Sequence, residues 1–208
     1  QEVDCLVDLM DLKPKEAILD VASGAGRHAL ELARREFQNV TAMDLSDQLL
    51  EIGRRSAEAL QVKVNFVKGD GRKPLEREAF DAAVILGGGA FGLMESDKEN
   101  QAILDATFVA LKPGGRIAVN VANLGRKPYR SLSADVISIL QDDLGLLLRG
   151  DIIWQKAEGA TGSVAWGSYR KATNPVLRDL TERVIVASKG RFNRSLSKGR
   201  EERGLPHV

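Results

Sequence analysis

The chain has 208 residues, 43% of them hydrophobic, and a formal net charge of +1. That is apolar material for one sizeable core, so a single domain is expected. One cysteine, Cys5, excludes an internal disulfide and points to a reducing, cytoplasmic setting. No run of about 18 apolar residues marks a membrane span, so no membrane partner is expected. Two distant histidines, His28 and His207, argue against a zinc site. No signal peptide is visible, although a start at Gln1 rather than Met is compatible with a removed leader.

In chain order, a helix holding Cys5 precedes "EAILDVA", whose aliphatic run predicts a buried parallel strand. A helix follows over Gly26–Phe37, with Ala29, Leu30, Leu32 and Ala33 on one face. "NVTAMDL" is the second strand. Ser46 caps the next helix, which carries Leu49, Leu50, Ile52, Ala57 and Leu60. "KVNFVKGD" and "FDAAVILG" are the third and fourth strands. A helix over Asp97–Leu111 is stopped by "KPGG", and "RIAVNVA" is the fifth strand. Ser131–Leu140 is a helix packed through Leu132, Val136, Ile139 and Leu140. "LLLRGDIIWQKA" and "TERVIVASK" then have no helical pattern between them, which predicts an antiparallel hairpin with a long insertion. Residues 1–190 form one domain in this reading, and 191–208 a basic tail.

The charge is unevenly spread. Residues 1–115 carry 14 basic and 20 acidic side chains; residues 116–208 carry 16 and 9. The second half therefore has a reason to approach polyanions, or else presents a solvated basic tail.

Gly24, Gly26 and Ala29 fit G-x-G-x-x-G/A at a strand exit, where missing Cβ atoms let a ligand approach the backbone. Asp44 ends the second strand 20 residues after Gly24, placed to accept from both hydroxyls of a ribose. Asp70 ends the third, placed to accept from an adenine amino group with Gly69 and Gly71 leaving room for the ring. The acids would share the carboxyl edge of the sheet with the glycine turn. A nicotinamide reading must also explain the absent substrate domain and the terminal hairpin.

"ILDVASGAGRHALELA", "AMDLS", "VKGDGR" and "LKPGGR" resemble the class I S-adenosylmethionine-dependent methyltransferases. The resemblance implies an α/β, Rossmann-like fold: a mostly parallel seven-stranded sheet with a C-terminal antiparallel β-hairpin. It implies S-adenosyl-L-methionine as cofactor and S-adenosyl-L-homocysteine as product. The cofactor residues it implies are Asp20, Ala22, Gly24, Ala25, Gly26, Asp44, Leu45, Gly69, Asp70, Gly71, Leu86 and Gly87, with Asp20 at the amino end of the methionine. The segment "GGGAFGLMESDKENQAILDATFVALKPGG" is similar to small methyltransferases with "EGAFGL" after strand four, except that Gly88 stands at the Glu position.

From Arg116 to Pro206 the chain resembles the amino-group DNA methyltransferases of restriction–modification systems, which act on adenine N6 or cytosine N4. "AWGSYR" and "NPVLRDL" carry this likeness. It divides the domain into a cofactor half (1–115) and a substrate-facing half (116–190), with DNA as a partner through residues 158–208. Phe91, Asn123, Trp166, Tyr169, Arg170 and Arg178 are the substrate residues so implied. Trp166 and Tyr169 offer faces for an extruded base, and Arg170 and Lys171 charges for phosphates. Trp166 could instead pack its loop on the sheet, and Arg178 could pair with Asp179 or Glu182.

The catalytic motif of that family is missing. Its (Asp/Asn/Ser)-Pro-Pro-(Tyr/Phe) supplies acceptors that localise the lone pair of an exocyclic amine. Leu86, Gly87, Gly88 and Gly89 stand there instead, so no catalytic residue is assigned. Three readings remain open: DNA amine methylation, small-molecule methylation, and a cofactor-binding module with little chemistry. Oligomeric state is not legible.

Overall fold

The computed structural model describes residues 2–87, 90–122, 130–155 and 181–190. Helix α1 (Glu2–Leu9) leads into β1 (Ala17–Val21), α2 (Arg27–Arg34), β2 (Asn39–Asp44), α3 (Asp47–Leu60), β3 (Asn65–Lys68) and β4 (Phe80–Ile85). Helix α4 (Asp97–Ala110), β5 (Leu111–Val121), α5 (Leu132–Ser138), β6 (Leu147–Gln155) and β7 (Thr181–Ser188) complete the order.

The strands form a single seven-stranded sheet in the order β3-β2-β1-β4-β5-β7-β6. β1 to β5 run parallel, β7 runs antiparallel to β5, and β6 antiparallel to β7. The expected Rossmann-like architecture with its terminal hairpin is therefore present. Chain order reverses between β1 and β4, so a crevice opens at the carboxyl ends of these strands. No helix among the described residues is long and apolar enough to cross a membrane.

Two apolar layers cover the sheet. One contains Leu19, Val21, Ile85, Ile103, Leu104, Leu111, Val119 and Ile185, under α4 and α5. The other contains Val3, Leu6, Met10, Ile18, Leu32, Val40, Ala82 and Val84, under α1 and α2. β1 feeds both layers because alternate side chains of a strand point to opposite faces.

The Ser46 hydroxyl accepts from the Leu49 N–H at 3.3 Å, the predicted cap of α3. The buried face of that helix is narrower than its sequence pattern suggested. Leu50, Gly53 and Ala57 are buried, whereas Leu49, Ile52 and Leu60 are exposed. On α2, His28 joins Ala29 and Leu32 in the buried set. "KPGG" does not separate helix from strand. It lies inside β5, where pairing with β4 jumps from Phe80↔Leu111 to Ala82↔Arg116, so the extra residues loop out as a bulge with Gly114 at φ +85°. The predicted Ser131–Leu140 helix shortens to α5 and passes into a π-helical turn over Ile139–Asp143.

Candidate functional site

The loop after β1 is held by its neighbours. The Ser23 N–H donates to the Met43 carbonyl at 3.0 Å, and the Gly26 N–H to the Ser23 carbonyl at 2.9 Å. Gly24 (φ +58°) and Gly26 (φ +75°) both need the left-handed region. Ala22 also sits there, at φ +54°, a conformation that costs an L-residue about 1–2 kcal/mol. Sequence reasoning did not find this strain.

Asp44 ties the two loops together. Its Oδ2 accepts from the Gly24 N–H at 2.8 Å and its Oδ1 from the Ser46 N–H at 2.9 Å. Each oxygen has one lone pair so engaged and another to offer. The Gly69 N–H donates to the Asp44 carbonyl at 3.0 Å, which brings the β3 loop alongside.

Asp70 is more heavily engaged than its sequence context implied. Arg72 grips it side-on, Nε to Oδ1 at 2.9 Å and Nη2 to Oδ2 at 2.8 Å, while the Arg72 N–H donates to Oδ1 at 3.0 Å. These bonds hold the Asp70 carboxyl below its usual range. Arg72 also reaches Glu99 on α4 at 2.5 Å. Asn100, one residue on, accepts from the Gly92 N–H at 2.8 Å and orders the loop beyond β4.

Together these residues enclose a hollow of about 360 Å³. It is lined by Ala22, Asp44, Leu45, Gly69, Asp70 and Gly71, six of the expected cofactor residues, and by Arg72, Ala90, Leu93 and Glu99, which were not anticipated. Gly69 also lets the loop pack on the core: a Cβ there would lie 2.6 Å from the Met43 sulfur.

Asp20 lies at the carboxyl end of β1 and is 1% exposed. Burial raises its pKa to about 7, against a hydrogen bond from the Ala29 N–H and the charge of Arg27, with Asp44 adding a smaller upward push. Its Oδ2 and the Ser23 Oγ are buried without a hydrogen-bond partner among the described residues. Two orphaned acceptors at a glycine turn fit a ligand that brings donors, such as the ammonium group of an amino acid.

A second hollow, of about 250 Å³, lies beyond the same loops. Leu86 and Gly87, placed at the cofactor by sequence, line it, as do Asn120 and Ala122 at the end of β5. Leu6 and Leu9 of α1, with Ile152, Trp154 and Val184 of the hairpin, supply apolar walls. Glu2, Arg27 and His28 gather at the junction of α1 and α2. Apart from Leu86 and Gly87, none of these was singled out as a site residue by sequence; the only available signal was a histidine two places after the last glycine of the turn.

Phe91, expected to stack on substrate, is 6% exposed within the apolar layer under α4 and α5. Its ring packs the loop after β4, so the stacking role is withdrawn. Gly88, Gly89, Asn123, Trp166, Tyr169, Arg170, Arg178 and the tail over 191–208 lie outside the described residues.

Residues 18–115 match the family model described as "Methyltransferase domain". That match takes in 98 of the 208 residues. The chain is 32% identical over 157 residues to the ubiquinone/menaquinone biosynthesis C-methyltransferase UbiE of a Ruegeria species, covering 71% of this chain and 59% of that protein. It is 37% identical over 115 residues to a demethylmenaquinone methyltransferase of Thermus thermophilus, covering 54% and 50%. The chain thus spans between half and three-fifths of the length of these two relatives. Among solved structures, an S-adenosylmethionine-dependent methyltransferase of Methanosarcina mazei superposes with a TM-score of 0.67 at 17% identity, covering 89% of this chain and 97% of the other. That likeness is one of fold.

Proposed function

We propose that this chain is an S-adenosylmethionine-dependent methyltransferase domain and that it transfers a methyl group to a small molecule. In this reading the adenosyl part of the cofactor occupies the larger hollow, with its ribose hydroxyls on the free lone pairs of Asp44 and its methionine ammonium on Asp20. The cofactor supplies an electrophilic methyl group on a sulfonium sulfur. The protein orients that group, excludes water from it and presents the acceptor.

The observation that carries the reading is that two hollows flank one pair of loops. Ala22 and Ala90 line the cofactor hollow, while Arg27, His28, Leu86 and Gly87, on the same loops or just past them, line the second. A bound cofactor lying along the glycine turn would present its methyl group toward the second, mostly apolar hollow. Apolar walls with a few polar groups at one end suit a compact ring-bearing molecule. The names of the relatives point the same way, to quinone precursors. The DNA reading of residues 116–206 draws no support from them, and its key side chains fall outside the described residues.

The test is transfer from methyl-labelled cofactor to reduced demethylmenaquinone, with unmethylated duplex DNA in parallel. Label in the quinol and none in DNA is expected; label only in DNA reverses the assignment. Asp44→Ala should weaken binding of S-adenosylhomocysteine by at least about tenfold in calorimetry. A charge-assisted hydrogen bond is worth roughly 1.5–3 kcal/mol, and the substitution also strands the Gly24 and Ser46 amides. Unchanged affinity would place the ribose elsewhere.

A further inference from the structure

The polar end of the second hollow is built around a buried imidazole. His28 is 7% exposed, in the first turn of α2. Its Nε2 lies 2.9 Å from Nη2 of Arg27. A guanidinium has donors and no acceptor, so Nε2 must accept and the ring proton must sit on Nδ1. The imidazole therefore holds a lone pair toward a donor. Burial first, and the charge of Arg27 second, push its pKa below the ordinary 6.5, so it is neutral at pH 7. Glu2 Oε2 lies 3.5 Å from the same nitrogen, close enough to stabilise an imidazolium once formed. The Arg27 side chain is 67% exposed and pairs with Glu2, so it can turn outward and give its place on Nε2 to another donor.

We propose that His28 is the base of this site, taking the proton of a hydroxyl group on a compact, ring-bearing acceptor seated under α1. This rests on the reading of the second hollow as the acceptor site. The acceptor's O–H bond breaks, its proton passes to Nε2, and its electron pair stays on the acceptor, raising the nucleophilicity of the oxygen or of a conjugated ring carbon. That nucleophile takes the methyl group while sulfur keeps the pair of the broken carbon–sulfur bond; where the ring carbon is the nucleophile, its hydrogen then leaves as a proton to water, the C–H pair restores the ring, and the oxygen takes a proton back from water. The imidazolium afterwards returns its proton to water. Apolar Leu6, Leu9, Ile152 and Trp154 flank the ring, and a phenol or quinol suits both ends of the hollow.

The titratable and charged groups around His28 are Glu2 and Cys5 on α1, Arg27 on α2, Glu182 on β7, and Asp20 on β1, which accepts from the neighbouring Ala29 N–H. Of these, Arg27 lowers and Glu2 raises its pKa. The test uses 1,4-dihydroxynaphthalene and 1,4-diaminonaphthalene as acceptors under anaerobic conditions, over pH 5–9. Transfer to the diol is expected to rise with pH through one ionisation below 6.5 and then level. His28→Gln should lower kcat about 100-fold or more and abolish that limb, as loss of a general base does. KM and the affinity for S-adenosylhomocysteine should stay within about twofold to threefold and the melting temperature should be unchanged, a split expected when only the transition state is affected. Glu2→Gln should shift the limb to lower pH. Independently of turnover, ¹⁵N spectra of labelled His28 should show an unprotonated Nε2 at pH 7 whose resonance moves when the diol is added.

The idea is overturned if His28→Gln keeps the rate and its pH limb, if cofactor affinity falls in step with kcat, or if Nε2 carries the proton at pH 7. Transfer to the diamine alone, or to neither acceptor by a protein that binds S-adenosylhomocysteine, also overturns it while the cofactor site stands. Absence of S-adenosylhomocysteine binding would remove the parent reading itself.

Discussion

Asp20→Asn should raise the melting temperature by several degrees at pH 8 and give no gain at pH 4. The carboxyl is 1% exposed, and burial lifts its pKa from 3.8 to about 7. Between those values the folded state holds a proton that the unfolded chain has released. Stability therefore falls as pH rises across that window, and the full cost is present above pH 7. At 1.36 kcal/mol per pH unit the cost is on the order of 4 kcal/mol. Asparagine removes the charge, and its carbonyl can keep the bond from the Ala29 N–H. Its amide group would replace an oxygen that already has no partner, which returns about 1–3 kcal/mol of the gain. The net stabilisation of roughly 1–3 kcal/mol corresponds to about 2–4 °C for each kcal/mol in a chain of this size. Cofactor binding should move the opposite way. An ammonium group beside Asp20 favours the ionised form, so wild-type affinity for S-adenosylhomocysteine should rise from pH 5 to about pH 7. In Asp20→Asn it should be weaker and nearly flat over that range. Scanning calorimetry and titration calorimetry at four pH values check both halves; a variant no more stable at pH 8 than wild type would show that Asp20 is protonated or solvated there.

The sequence announced much of this site because its signals are local. Asp44 could be placed from the sequence because a strand that ends in an acid, 20 residues after a glycine turn, constrains both partners at once. Ser46 could be placed because a cap acts within three residues. Asp70 was harder. Its position at the end of β3 was legible, but the side-on grip of Arg72 depends on a rotamer and on Glu99, which is far along the chain. His28 was missed for a different reason. On a helical wheel it looks like the polar neighbour of Ala29, and only the packing of α1 across the start of α2 buries it and supplies Glu2. Phe91 failed the other way, since an aromatic after β4 reads equally as a stacking platform or as core. "KPGG" misled because proline and glycine mark a bulge within a strand as readily as a helix stop, and only the pairing of β4 with β5 separates the two.

Gly53→Ala should destabilise the domain and weaken its hold on the cofactor, although it substitutes the best helix former for a poor one. On α3 the exchange is worth about 1 kcal/mol in favour of alanine. The added Cβ would lie 2.4 Å from Cε1 of Phe66 and 2.8 Å from the Ala25 carbonyl oxygen. The ring could rotate away, but the carbonyl belongs to the backbone of the glycine turn, whose bonds to Asp44 and Met43 fix it. Relief requires α3 to move outward or the turn to shift, and forced core expansion of this kind costs typically about 1–3 kcal/mol. Set against the helix gain, a net loss of up to about 2 kcal/mol is therefore expected in denaturant melts. Affinity for S-adenosylhomocysteine should fall further than stability alone predicts, because in the proposed reading the displaced turn lies along the cofactor. Gly24→Ala makes the contrast. Among the described residues nothing lies within 4 Å of a Cβ there, so its expected cost is that of the left-handed φ of +58°, about 1–2 kcal/mol. A Gly53→Ala variant that melts higher than wild type with unaltered affinity would mean that α3 and the glycine turn do not pack as closely as their 2.8 Å approach requires.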